Sequence, residues 1–238
     1  MPISLSAVRN DDRFAAFHPA ATMSDDAPLT LNDHLRLIHG VSSRLHFRRG
    51  ETIFAEGDAA GHVYKVLTGT VRLCRFLPDG RRHVGEFVLA GDLMGFLECP
   101  NHPATAEAVD DVTLVAYPRS AVERLAASDP TIRRRITSHL SSSLLEAQKH
   151  LFVLGCQRAR ERVASFLARL ADRSDVGQGE TLDIAMSRQD IADHLGMTVE
   201  TVCRMLALLK AEGTIVVLGA GQIILKNLSA LRVQSFDH

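Results

Sequence analysis

The sequence predicts an α+β chain: a β-rich N-terminal part, a long amphipathic helix and a C-terminal winged helix-turn-helix. Three observations carry that expectation. Residues 42–118 hold short β-prone runs cut by Gly and Asp, as closely spaced strands with tight turns require. Residues 132–154 place apolar side chains at steps of four and three, which lays one stripe along a helix. Residues 188–207, RQDIADHLGMTVETVCRMLA, read as two short helices about a glycine turn.

Composition bounds the rest. The chain has 238 residues, 46% hydrophobic and 23% charged, so it can bury a substantial core. A formal net charge of -1 gives no general attraction for polyanions, so any nucleic-acid face must come from local arrangement. The cysteines, Cys74, Cys99, Cys156 and Cys203, have no CxxC spacing and suit a reducing compartment better than a disulfide framework. There is no basic-then-apolar leader, and no apolar run is as long as a membrane span. The expectation is a cytoplasmic protein with no membrane partner. No nucleophile–base arrangement, metal-ligand spacing or phosphate-binding loop is visible, so neither an enzyme nor a bound cofactor is expected.

The elements follow in order. Residues 1–28 lack periodicity and read as a flexible arm. LTLNDHLRLIHG offers a short amphipathic helix through Leu31, Leu35, Leu37 and Ile38. A β domain is expected over 29–128, with LPDG at 77–80 as a tight turn inside it. SAVERLAASDP reads as a short helix stopped at Pro130. The long helix, 129–154, carries Ile132, Ile136, Leu140, Leu144, Ala147, Leu151 and Leu154 as one narrow apolar seam with polar flanks. A seam of that kind resembles half a coiled coil and is read as a homodimer interface. Residues 155–238 begin with the amphipathic CQRARERVASFLARLADR and form the last domain.

In that domain, Ile191, Ala192 and Leu195 face inward on the first helix of the pair, and Gly196 ends it with a positive φ. Thr198 caps the second helix, whose inner face is Val202, Met205 and Leu206. TIVVLGAGQIIL then supplies two apolar strands about GAG, the hairpin of a wing. The second helix of such a pair lies in the major groove of double-stranded DNA. Its outward residues, Val199, Glu200, Cys203 and Arg204, are the candidate base readers. Arginine matches the two acceptors of guanine, glutamate accepts from a cytosine amine, and a Glu–Arg pair four residues apart is expected to pre-orient the arginine. Ser187, Arg188, Gln189, Thr198 and Thr201 are the candidate phosphate contacts, which position without specifying.

With GETIFAEGD, VYKVLTGTVRL, GEFVLAGDLMGF and SRQDIADHLGMTVETVCRML, the chain resembles the Crp/Fnr superfamily of bacterial transcription regulators over roughly residues 30–230. The resemblance implies a cyclic-nucleotide-binding-like β-roll, a dimerisation helix, a winged helix-turn-helix and RNA polymerase as a partner. Glu200, Cys203 and Arg204 stand on the E-x-x-S-R pattern of the Fnr branch, with cysteine in the serine position; that branch reads TTGA-type half-sites. DGRRHVGEFVLAGDLMGF and LGCQRARERVASFLARLA narrow the resemblance to the FixK subgroup of alphaproteobacteria. Members of that subgroup activate genes for microaerobic and anaerobic respiration and nitrogen fixation.

Departures from the relatives bear on the effector. Phe96 stands where a cyclic-AMP receptor needs glutamate, and Ala104 and Thr105 stand where it needs arginine and serine. The phosphate would meet no cation, so cyclic AMP is not expected to bind. The arm has no cysteine, which closes the iron–sulfur route of the oxygen-sensing relatives. A haem or other small ligand in the roll is the alternative, with His62, His83, His102, Cys74 and Cys99 as the possible axial ligands. Cys203 is expected to act as a redox brake. It stands near a helix N-terminus beside Arg204, a setting that favours thiolate, and oxidation would set bulk and negative charge against DNA.

Overall fold

The computed structural model describes residues 31, 35, 40–96, 99–219 and 221–232. The expected arm and Leu37 and Ile38 of the first helix lie outside them, whereas Leu31 and Leu35 are helical and buried.

Eight strands build the β domain: β1 (Ser43–Phe47), β2 (Thr52–Phe54), β3 (His62–Thr68), β4 (Val71–Phe76), β5 (Arg82–Val88), β6 (Leu93–Met94), β7 (Thr105–Ala108) and β8 (Val112–Pro118). They pair as two antiparallel four-stranded sheets, β1-β8-β3-β6 and β2-β7-β4-β5. Leu45, Phe54, Val66, Val71, Val88, Ala106 and Leu114 fill the space between them. Each strand is short because a turn cuts it. At the β4–β5 hairpin, Gly80 takes φ +83° and its N–H donates to the Leu77 carbonyl. At Gly69 (φ +82°) a Cβ would stand 2.4 Å from the Asp111 carbonyl oxygen, so the β3–β4 turn admits only glycine.

Two helices follow, α1 (Arg119–Ser128) and α2 (Pro130–Cys156). Pro130 does more than end α1. It is the first residue of α2, where its missing N–H is harmless, and the Asp129 carboxylate accepts from Thr131 N at 2.8 Å. The long helix runs through Gly155, two residues past Leu154, before Gln157 breaks it with extended backbone.

The C-terminal part contains α3 (Ala159–Arg173), β9 (Thr181–Asp183), α4 (Arg188–Leu195), α5 (Val199–Ala211), β10 (Ile215–Val217), β11 (Gln222–Leu225) and α6 (Leu228–Arg232). The wing has a third strand that the sequence did not signal: β9 pairs with β11, giving the order β10-β11-β9. At three residues, β9 is too short to carry a readable alternation. The core of this part does not close on itself. Val84 and Phe87 of β5 belong to the same buried cluster as Phe166, Leu167, Ile191 and Leu195, so the β domain and the C-terminal helices share one apolar interior.

The apolar stripe of α2 divides between two tasks. Ile132 is fully buried within the chain, and Ile136 packs on Val63, Val115 and Tyr117 of the β domain. Neither is free to form an outward seam, Ile132 because it is buried within the chain and Ile136 because it packs on the roll. Leu154, at the other end, is half-buried. Leu140, Leu144, Ala147 and Leu151 are exposed, together with Leu145 and Phe152, which the seam pattern omitted.

Candidate nucleic-acid interface

The helix-turn-helix is built by capping at both helix starts. Ser187 Oγ accepts from Asp190 N at 3.1 Å, and the Asp190 carboxylate accepts from Ser187 N at 3.0 Å, a reciprocal box that starts α4. Gly196 (φ +61°) ends α4 in the left-handed region. Thr198 Oγ1 accepts from Thr201 N at 3.3 Å and starts α5. Ile191, Ala192, Leu195, Val202 and Leu206 are buried between the two helices and α3, with Met205 half-buried on the same side.

That packing leaves Glu200, Cys203 and Arg204 together on the exposed face of α5. Val199 departs from expectation: it is half-buried and packs on the shared core, because the position three before Val202 falls on the inner flank of the helix. The expected Glu200–Arg204 coupling also takes another form. The Arg204 guanidinium donates to Thr201 Oγ1 at 3.3 Å, so Thr201 orients it. Glu200 turns back to the helix start. Its own backbone N–H and the Thr198 hydroxyl hold its carboxyl below the usual range, with Arg204 a smaller contributor.

The candidate phosphate contacts differ in freedom. Thr198 is exposed and Thr201 half-buried, and their hydroxyls lie 3.1 Å apart. Arg188 keeps a buried Nη1 with no hydrogen bond. Gln189 donates to Asp193 Oδ1 at 2.6 Å, and Ser187 Oγ donates to Asp190 at 2.6 Å, so these two are already engaged within α4.

Residues that sequence reasoning missed hold α4 in place. Arg72 of β4 donates to Asp190 Oδ1 at 3.0 Å, and Arg82 of β5 donates to Asp190 Oδ1 at 2.6 Å and to Asp193 Oδ2 at 2.8 Å. Burial alone would raise the Asp190 carboxyl; the Ser187 bonds and the two guanidiniums outweigh it and hold the carboxyl below its usual value. His194 Nδ1 lies 2.9 Å from the Val84 carbonyl, which can only accept, so Nδ1 carries the proton. The His194 ring stacks on His150 of α2 at 4.1 Å. From α3, Arg162 donates to the carbonyls of Leu154, Gln157 and Leu195. The available signal was Asp190 itself, a charged residue on the inward side of an otherwise apolar helix face, which needs a buried cation.

The roll does not gather all the haem candidates. His102 is buried and stacked on Phe54 at 3.6 Å, and both His62 and His102 lie near Tyr64, at 6.0 and 6.4 Å. The Cys74 thiol is buried in the second sheet against Glu107, and burial first, then that carboxylate, pushes it up to about 11. His83 and Cys99 are exposed. Among the described residues, no group of three or more His, Cys, Asp or Glu is placed to hold a metal ion. Phe96, at the family's glutamate position, packs against His139 of α2, and Thr105 Oγ1 accepts from Glu56 N.

Comparison with known proteins agrees with this architecture. A cyclic nucleotide-binding domain matches residues 44–129, and a Crp-like helix-turn-helix domain matches residues 161–233. The nitrogen fixation regulation protein FixK of Azorhizobium caulinodans is 41% identical over 78% of this chain and 76% of its own length. The chain belongs to the FixK group of the Crp/Fnr family. The FixK protein of Bradyrhizobium diazoefficiens is 38% identical over 79% of this chain and 80% of its own. The solved structure of FixK2 from Bradyrhizobium japonicum superposes with a TM-score of 0.78 at 36% identity, covering 83% of this chain and 99% of that one. A FixK-type chain is a DNA-binding transcription regulator, which is not a class of enzyme. Among the described residues no helix is long and apolar enough to cross a membrane.

Proposed function

We propose that this FixK-type regulator is a homodimeric transcription activator that reads TTGA-type palindromes and recruits RNA polymerase to genes of microaerobic respiration and nitrogen fixation. The observation that carries this reading is the exposed face of α5, where Glu200, Cys203 and Arg204 stand free of the core on a capped helix. The relatives' names supply the regulon: three FixK proteins, 38–41% identical, are nitrogen fixation regulators. Dimerisation rests on the apolar ridge of α2, since a lone chain leaves Leu144, Leu151 and Phe152 more than half exposed. Two subunits then read half-sites about one DNA turn apart.

No effector is required in this reading. A purine ribose and cyclic phosphate find Phe96 where a carboxylate would be needed and Ala104 where a cation would be needed, and the Thr105 hydroxyl, which accepts from Glu56 N, supplies no charge. Control falls to Cys203, whose side chain is exposed beside Arg204. Peroxide oxidises the thiolate to the sulfenic acid and is itself reduced to water; further peroxide gives the sulfinate and sulfonate. Each oxidised form adds bulk, and the last two add a permanent negative charge to a surface facing phosphates.

Binding to a TTGA-N6-TCAA duplex, reduced and then peroxide-treated, tests this reading. Reduced protein should bind without added nucleotide, and peroxide should abolish binding. Cys203→Ser should bind equally well in both states. Peroxide sensitivity that survives this substitution removes the brake from Cys203, and absence of binding by reduced protein defeats the effector-independent reading.

A further inference from the structure

We propose that Arg72 and Arg82 are positioning residues for DNA reading: they tie the first helix of the helix-turn-helix to the β-roll and so fix the orientation in which each reader helix is presented. This rests on the DNA-reading function proposed above and adds the device that makes an effector unnecessary.

The argument starts from α4. Three elements, β4, β5 and α3, grip it. From the roll, Arg72 and Arg82 converge on Asp190, and Arg82 also bridges to Asp193 one turn later. The Asp190 side chain is 4% exposed and those of Arg72 and Arg82 are 16% exposed, so water and salt screen the network weakly. Arg72 is itself fixed by Glu107 of β7, through Nε at 2.8 Å. From β5, the Val84 carbonyl accepts from His194. From the hinge side, Arg162 ties the carbonyl of Leu195, the last residue of α4, to those of Leu154 and Gln157, where α2 ends. The helix is therefore held at its start, its middle and its end by groups that belong to different elements.

Asp190 has a second role that joins this grip to the reader. Its Oδ2 completes the capping box with Ser187 while its Oδ1 receives both guanidiniums. One carboxylate thus starts α4 and anchors it to the roll. Because α4 packs on α5 through Ile191, Leu195 and Val202, a displacement of α4 carries α5 with it. Neither arginine lies on the outward face of α5, so neither reads a base. Their effect on DNA must come through orientation.

Orientation matters to a dimer through half-site spacing. A rigidly held reader pair engages both half-sites only at the spacing its geometry allows, whereas a loosely held pair reaches several. Base preference within one half-site depends on Glu200, Cys203 and Arg204 and is independent of the tie. Spacing and base preference therefore separate a positioning role from a merely structural one.

The test compares binding of wild type, Arg72→Ala/Arg82→Ala and Arg82→Lys to palindromes with spacers of five, six and seven base pairs, with a single-half-site mutation as control. Wild type should lose on the order of a hundredfold when the spacer leaves its optimum, because the second contact is lost. The double alanine variant should lose roughly tenfold or less, with its discrimination against a mutated half-site unchanged. Arg82→Lys should fall between them, since a single ammonium cannot span two carboxylates as a guanidinium fork does. A cooperative thermal transition shows that the variant domains are folded; if the double variant lacks one, Asp193→Asn carries the same comparison with an isosteric side chain. Spacer discrimination equal to wild type in folded variants overturns the positioning role. Wild type that binds no TTGA palindrome fails earlier, at the DNA-reading proposal itself, and takes this inference with it.

Discussion

Arg204, the proposed base reader, takes its setting from its neighbours. Its guanidinium sits over Thr201, and Thr201 in turn takes its position from the Thr198 cap. In the proposed reading the arginine would meet a base with its side chain already partly ordered, which reduces the entropy lost on binding. Arg204→Ala should weaken binding to the palindrome by about 1–3 kcal/mol per half-site and relax the preference at the base pair it contacts. Measured against a set of single-base-pair substitutions, unchanged discrimination would assign the reading to another residue. Thr198→Ala acts one step further back. It should lower stability by about 1 kcal/mol through the lost cap, seen as a shift in denaturant midpoint, and also weaken DNA binding by freeing Arg204.

At the scale of elements, α2 carries the clearest division of labour. Its first turns bury Ile132 within the chain and pack the half-buried Ile136 on the roll, while Leu140, Leu144, Leu145, Leu151 and Phe152 emerge further along. If the proposed dimer forms through this ridge, Leu144→Asp together with Leu151→Asp should give a monomer in analytical ultracentrifugation where the unsubstituted chain sediments as a dimer, while leaving the helical signal intact. A variant that remains dimeric would move the interface off α2. The periodicity of this helix was legible in the sequence, because a step of four and three is a direct consequence of 3.6 residues per turn. Which part of the stripe faces the chain's own roll was not legible, because that depends on where the β domain sits and leaves no local mark. The helix-turn-helix was legible for the opposite reason. Gly196 and Thr198 are chemically required where they stand, and helix ends fall at those residues, whereas the Ser187–Asp190 box that starts α4 went unread. Val199 was misread because one residue at a helix start lies on the boundary between two faces. The grip of Arg72 and Arg82 on Asp190 spans more than a hundred positions of sequence, so only the fold reveals it.

For the whole molecule, the junction of roll, long helix and reader domain sets the response to acid. His150 and His194 stack there with no room for charge. Burial is the main cause that lowers both imidazoles, to about 4 for His150 and about 3 for His194; Arg169 and His83 repel charge on both rings, and His150 repels charge on His194. Neither nitrogen of His150 makes a hydrogen bond of good geometry, and the backbone of His194 offsets only part of the cost of charging the ring. The groups facing the pair are Arg169 of α3, His83 of β5 and the Val84 carbonyl, with Glu86 and Glu146 lining the same cleft of about 280 Å³. In the unfolded chain both imidazoles titrate near 6.5. Between that value and about 4 the unfolded state binds protons that the folded state refuses, so stability is full above pH 6.5 and falls as pH drops. Each imidazole adds a slope of up to about 1.4 kcal/mol per pH unit in that window. Asp190 works in a separate range: its folded value lies below 3.8, so its contribution is present above 3.8 and is lost only as pH falls further. Urea unfolding at fixed protein concentration between pH 5 and 7.5 therefore reports imidazoles, this pair together with His62, His102 and His139, which burial also lowers, and not the Asp190 carboxylate. His150→Phe, which keeps a ring against His194, should flatten the slope by about one proton's worth, and an unchanged slope would place the acid sensitivity elsewhere in the molecule.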